Sequence, residues 1–512
     1  MASVTATTRR GRLRPRLPSV PTTASRRGVV PAPLAHLLGA VLLVVAAWVL
    51  VVPPWQPPDE DHHFAYVQTL GERLTLPGDS SRPEQSTEQR LATSRSNAEQ
   101  TAAVPTTELE WSEEAFRRWE RDETAPASSA RSDGGGTNPA STNPPLFYAY
   151  SALGYWAAYP GDVFDRLYAA RAISALLLLV TTTGAWLLAG EVFGRNRVLQ
   201  VAAAAVTGLE PMMTFVSASV NPDSLLYALW ALALWLGARV LRRGLTLGSG
   251  VAFFAVIGLG TLTKATTLVL LPAAFLVLGV GLWRLWHSGG GRRAAATTGL
   301  AAVASLAVLA GGWVVASVVL GRPALFQVGT SDNAPLPDSP LRLLASYLWQ
   351  FYLPKLPFQQ EFAGFPTLPV YDFWAKGAWG AFGALEVRLP EWLYLLLALV
   401  TVAVLVAAAV AFVRARRRGN VDMAVAAYFA LVALALLGGL HWTEYRLIQV
   451  TGGPFNQGRY LLPLVPLAGV AAAAALTLVP SRLRTAALTT GVGALLALQA
   501  VCLAVVMGRF YA

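Results

Sequence analysis

The residues able to do chemistry stand in short polar motifs that interrupt long apolar runs. Asp59, Glu60, Asp61, His62 and His63 form one row in PPDEDHHF. Neighbouring carboxylates repel, which raises proton affinity, so Asp59 or Glu60 could take a proton from a hydroxyl near neutral pH. The plainer reading is a solvated helix start, where acids favour the dipole. His62 and His63, with Asp59 or Asp61, carry metal-ligand atoms. Adjacent histidines rarely share one ion, however, and His63 could instead orient a carboxylate or contact a substrate. The other motifs are Asn143-Pro144-Pro145, Asn221-Pro222-Asp223-Ser224, Lys264 in TLTKATT, Trp379-Gly380-Ala381-Phe382-Gly383 and Gln457-Gly458-Arg459-Tyr460. Asp223 reads as a functional acid at the start of a span or as a cap after Asn-Pro. Lys264 reads as a side chain snorkelling to headgroups or as a charge for a lipid phosphate. Arg459 offers a planar donor fork suited to phosphate. Glu210, before Pro211, is either a functional intramembrane carboxylate or the polar partner of a proline break. There is no phosphate-cradling glycine loop, GxSxG elbow or HExxH.

The elements that must position these motifs are membrane spans. The chain has 512 residues, 54% hydrophobic and 13% charged, with a mean hydropathy of +0.47. Soluble domains carry about 25% charged residues, so a soluble enzyme is excluded. Runs of about 20 apolar residues cross a bilayer. Eleven occur, at 33–53, 165–189, 198–220, 224–241, 246–262, 266–283, 296–320, 392–413, 421–440, 461–479 and 485–507. A short twelfth candidate lies at 144–160. If 144–189 crosses once in net, every arginine cluster falls on the cytoplasmic side with the tail 1–32, as the positive-inside rule requires. The segment 144–160 is then interfacial or re-entrant. The net charge of +11 follows from those loops and does not point to nucleic acid. No small-residue cleavage site follows the first run, which therefore reads as a span rather than a signal peptide. The single Cys502 excludes an internal disulfide.

The predicted organisation is a disordered basic tail (1–32), a transmembrane module (33–320) with a first outer loop (54–143), a second outer loop (321–391) and C-terminal helices (392–512). Between Trp55 and Asn143 sixteen acids face eight arginines, a net charge of −8. Within this stretch 55–77 reads as a short helix and 108–123 as an amphipathic interfacial helix. Residues 124–142 read as a flexible linker. The second loop is rich in aromatics, which suit either the bilayer interface or sugar rings. All the polar motifs fall at the outer helix ends.

In order along the chain, PPDEDHHF, NPPLFYAY, AARAIS, SVNPDSL, LTKATTL, WGAFG and QGRYLLPLVP resemble a bacterial family of multi-spanning membrane proteins of unknown function. That family is similar to the GT-C glycosyltransferases. The resemblance covers roughly 35–480. It implies an all-α, GT-C-like bundle in the plasma membrane, with an extracytoplasmic active site. It implies sugar transfer, with inversion, from a polyprenyl-phosphate donor to a cell-envelope glycan, lipid or protein. Asp59 and Glu60 map onto the catalytic acids. Asn143-Pro144-Pro145 and Lys264 map onto the segments near the carrier phosphate and Asp223 onto a further acid at an outer helix start; His63, Trp379, Gln457, Arg459 and Tyr460 are taken beside them as further substrate contacts. No cofactor is required by this reading; a divalent cation, if used, would fall to Asp59 and Asp223. Two rivals stand beside it. One is a transporter or flippase of lipid-linked saccharides, which wants polar residues in mid-membrane; no acid occurs from Ser224 to Ser331. The other is a non-catalytic subunit of an envelope assembly.

Overall fold

A bilayer core has no water to satisfy backbone polar groups, so apolar runs there close into helices. The computed structural model describes residues 30–96, 98, 117, 128–287, 291–321, 340–359, 368–451 and 457–511. Among them, nine of the eleven runs form helices long and apolar enough to span a membrane. In chain order the helices are α1 (Ala32–Val51), α2 (Glu60–Arg73), α3 (Thr87–Arg95), α4 (Leu146–Ala157), α5 (Val163–Phe193), α6 (Arg197–Gly208), α7 (Pro211–Ser217), α8 (Asp223–Arg243) and α9 (Leu247–Thr261). They continue as α10 (Ala265–Leu285) and α11 (Gly291–Val319), α12 (Pro340–Tyr352), α13 (Lys376–Trp379), α14 (Glu391–Arg417) and α15 (Met423–Thr451). The last two are α16 (Gly458–Leu476) and α17 (Ser481–Phe510).

Two runs depart from a simple span. The run 198–220 breaks into α6 and α7, bent by 58°. Pro211 lacks the amide for an unbroken helix, and the Glu210 carboxylate caps the new start by accepting from the amides of Met212 and Met213. Of the two readings of Glu210, the structure takes the proline-break one. Gln499 completes the repair, donating to the Leu209 carbonyl at 3.0 Å and to Thr214 at 2.8 Å. The run 246–262 forms the 15-residue α9. The 144–160 segment gives α4, only 12 residues and about 18 Å at 1.5 Å per residue, too short to cross. It lies against α5, where Gly154 backs onto the Ala169 carbonyl.

At the centre runs α8, which is mostly buried, whereas little of α11 and α14 is buried and these face lipid. Its 21 residues span about 30 Å. Asp223 starts it, and Arg242 and Arg243 end it beside Glu191, which holds Arg239 at 3.3 Å and Arg243 at 2.8 Å. The motif residues and this basic cluster therefore lie at opposite ends of the bundle.

The first long loop folds onto the motif end. Its helix α3 is tied to α5 by the buried Glu88–Arg166 pair and to α2 by a 2.8 Å bond from Gln68 to Glu88. The predicted amphipathic helix 108–123 lies outside the described residues except Arg117. The linker expectation for 124–142 is corrected where it is described. Gly135 and Gly136 donate to the Glu84 and Pro83 carbonyls, and Asp133 accepts from the Thr87 amide and hydroxyl. A Cβ on Gly134 or Gly136 would meet backbone at 2.6 or 2.3 Å, so these glycines permit close packing rather than flexibility.

Candidate active site

Each motif reaches the site from a different element. Asp59 precedes α2 with φ +62°, a left-handed backbone uncommon outside glycine. Its half-exposed carboxylate binds the Arg459 guanidinium at 2.6 Å. Arg459 opens α16 and is 5% exposed. Among the described residues its Nε has no hydrogen-bond partner, nor does the buried Oε1 of Gln457. The Tyr460 ring lies 5.4 Å from the guanidinium and 5.7 Å from the Lys264 ammonium. Lys264, in the turn between α9 and α10, binds Asp223 at 2.6 Å. Asp223 is therefore an ion-pair partner as well as the first residue of α8, and its amide is held by Asn221 at 3.0 Å. Asn221 also reaches back to the Pro58 carbonyl at 3.4 Å, joining the NPDS and PPDED segments.

A second arc carries His63 and Asn143. His63 is buried with Nδ1 2.9 Å from the Tyr148 hydroxyl, which also accepts from Asn143 at 3.1 Å. Tyr66 stacks on Tyr148 with ring centroids 3.6 Å apart. The segment after Asn143 is pinned beside Lys264, because the Leu146 amide donates to the Leu262 carbonyl at 3.2 Å. Thus Asp59 is paired with Arg459 and Asp223 with Lys264, the Tyr460 ring lies near both cations, and His63 and Asn143 meet at the Tyr148 hydroxyl; Gln457 stands two residues before Arg459.

Two residues expected at the site fall elsewhere. Glu60 points away from the exposed face into a fully buried pair with Arg171, so its carboxylate is consumed by structure. Trp379 turns toward α14 and donates its indole N–H to Thr401 at 3.1 Å. The second-loop aromatics divide: Trp349, Tyr352 and Phe358 are exposed, whereas Phe351, Trp374 and Phe382 are buried. Phe382 is buried against Trp48, and Phe351 and Trp374 pack around His441, whose ring binds Tyr347 and Tyr352 at 3.1 and 2.7 Å. That loop still meets the site through glycine. A Cβ on Gly458 would lie 2.2 Å from the Gly377 carbonyl carbon, so α13 rests on the QGRY backbone. Sequence reasoning missed Arg171 and Tyr148. An arginine inside the 165–189 run was a visible signal, since charges in spans are costly; the tyrosine had none.

The expected rise in carboxylate proton affinity is seen at Asp61, through burial first and then through Glu84 and Asp59, but not at Asp59. Burial pushes the Asp59 pKa up, but Arg459, His63 and Lys264 outweigh it and hold it at about 2. Burial drives His63 down to about 3, so its imidazole is neutral at pH 7. His62 behaves oppositely. Its bond to Glu84, with Asp61 nearby, lifts it to about 9 against the opposing effect of burial. Among the described residues no three His, Cys, Asp or Glu side chains are grouped so as to hold a metal ion. A raised folded-state pKa contributes stability fully below the unfolded value of 6.5, lost as pH rises through about 9. Loop 1 should therefore loosen between pH 7 and 10, as rising protease sensitivity, and His62→Gln should remove that dependence.

The fold and the convergent ion pairs define a multi-spanning α-helical membrane protein with a polar site at one end of its bundle. The chain belongs to the family described as predicted membrane protein (DUF2142), matched over residues 42–468. No curated protein matches it. Among solved structures it is similar to ArnT from Cupriavidus metallidurans in the apo state, with 16% identity and a TM-score of 0.41, covering 88% of this chain and 60% of that one. It is also similar to the Archaeoglobus fulgidus oligosaccharyltransferase in the apo form, with 12% identity and a TM-score of 0.45, covering 93% and 56%. The same figures hold for AglB of that organism in complex with an inhibitory peptide and a dolichol-phosphate. The chain thus spans about 60% and 56% of the length of these structures.

Proposed function

We propose that the protein is a membrane glycosyltransferase that moves a sugar from a polyprenyl-phosphate donor to a cell-envelope glycan, lipid or protein. One observation carries this reading: Asp59 and Asp223 each hold a cation, Arg459 and Lys264, within one cluster at one end of the bundle. A base beside two phosphate-neutralising groups is what transfer from a lipid phosphate requires. The arginine clusters at the opposite end support an extracytoplasmic site. No nucleotide sugar is present on that side of a plasma membrane, so the donor is lipid-linked.

Asp59, rather than Glu60, is the base. While it is paired with Arg459 its pKa is about 2, and it is a poor proton acceptor. A donor phosphate that takes Arg459, using also its unpartnered Nε, releases Asp59 and raises its basicity. The acceptor hydroxyl then gives its proton to Asp59 as its oxygen attacks the anomeric carbon. The carbon–oxygen bond to phosphate breaks on the opposite face, inverting the centre. The leaving lipid phosphate needs charge neutralisation more than a proton, and Arg459 and Lys264 supply it. His63 and Asn143 stand on the sugar side, backed by the fully buried Tyr66–Tyr148 stack. Asp59 and Asp223 are the carboxylates that would hold a divalent cation.

Charge-assisted hydrogen bonds are worth about 1.5–3 kcal/mol, and 1.4 kcal/mol is tenfold. Lys264→Met and Arg459→Met should each weaken binding of farnesyl phosphate about 10- to 100-fold, measured by calorimetry on purified protein. Unchanged affinity in both would count against the phosphate site.

A further inference from the structure

Behind the exposed cluster lies a second ion pair that the chemistry above does not use. Glu60 and Arg171 are both 0% exposed. Their contact is two-pronged: Arg171 Nε donates to Oε1 at 2.7 Å and Nη2 to Oε2. The remaining guanidinium bonds go to main-chain carbonyls at the exit of α1, to Val52 at 2.6 Å, Pro53 at 2.9 Å and Val49 at 3.3 Å. The carboxylate in turn accepts from the amides of Trp55 and Val220, each at 3.0 Å. One buried pair therefore ties together the end of α1, the turn 53–60, α5 and the segment leading into Asn221.

The turn inside this clamp holds two non-glycine residues with left-handed backbone, Trp55 at φ +58° and Asp59 at φ +62°. Such a conformation persists only where the surroundings over-determine it. Asp59 is gripped on both sides, by Asn221 on the Pro58 carbonyl and by the anchored Glu60. A pair serving stability alone would be replaceable by apolar side chains; this one is bonded throughout to the backbone groups that set the turn.

We infer that Arg171 is a positioning residue: acting through Glu60, it imposes the left-handed backbone of Asp59 and so fixes that carboxylate against Arg459 and the Asp223 segment. The conformational part stands by itself, whereas its effect on turnover rests on Asp59 being the base.

The test is a cycle on the full-length protein in phosphatidylglycerol-containing nanodiscs, read as thermal midpoints. Glycine accepts a positive φ freely and alanine does not. Asp59→Gly should melt several degrees above Asp59→Ala while Arg171 is present. The gap should shrink by about half or more when Arg171→Lys removes the donor fork. Should that variant not fold, Glu60→Gln with Arg171→Gln, which removes both charges, replaces it. A gap that is missing in the parent, or that survives loss of the pair, overturns the inference. Turnover is the second readout. Arg171→Lys should lower it about tenfold or more, as small misplacements of reacting groups do, with the KM for a polyprenyl-phosphate sugar within about twofold. Loss that merely tracks the amount of folded protein counts as intact turnover. A gap that closes with turnover intact upholds the positioning and removes Asp59 from the role of base.

Discussion

Asp59→Asn should lower sugar transfer by about 10²- to 10⁴-fold, the usual contribution of a general base, while farnesyl phosphate binding is kept or tightened. The amide keeps the shape of the side chain but cannot take the proton. It also weakens the hold on Arg459, which now competes less for the phosphate. Loss of transfer with binding retained separates a base from a phosphate ligand, because Lys264→Met and Arg459→Met lose binding first. It also separates an enzyme from a flippase. A flippase would move lipid-linked saccharide across vesicles as fast with asparagine as with aspartate at 59. An assembly subunit would likewise be indifferent to the change.

The second large effect concerns stability. Arg171→Met leaves Glu60 as an uncompensated charge in a site with no exposed surface. Removing one partner of such a pair costs about 3–5 kcal/mol, together with the bonds to Val52 and Pro53. Denaturation of the purified variant should show a drop of this order. Removing both charges at once, as Glu60→Gln with Arg171→Met, should recover much of it, since neither group is then left charged and unpaired. A single variant as stable as the parent would mean that water or another group reaches Glu60.

Much of this arrangement was legible in the residues. Each of the eleven apolar runs became a helix or a bent pair, because their hydropathy leaves the backbone no other way to bond in lipid. The motif end of the bundle could be anticipated because Asp223 and Arg243 bracket a single span. What sequence does not carry is the direction of a side chain. Asp59 and Glu60 are neighbours of similar chemistry, yet the left-handed turn sends one toward Arg459 and the other into Arg171. Trp379 is expected as a substrate contact alongside the family resemblance, but its indole finds Thr401 in three dimensions. The repulsion expected among adjacent acids was reversed at Asp59 by an arginine 400 residues away, a partner that no local pattern announces. Likewise the glycine run 134–136 has the composition of a linker, and only the chain against it makes it a close contact.

The most direct test is a cryo-electron-microscopy structure of the protein in nanodiscs with a long-chain polyprenyl phosphate. The account predicts the phosphate within hydrogen-bond reach of both Arg459 and Lys264, with the Asp59–Arg459 contact opened and the lipid tail running into the bilayer from that end of the bundle. A phosphate bound at the Arg242–Arg243 end, or one leaving both ion pairs intact, would contradict it.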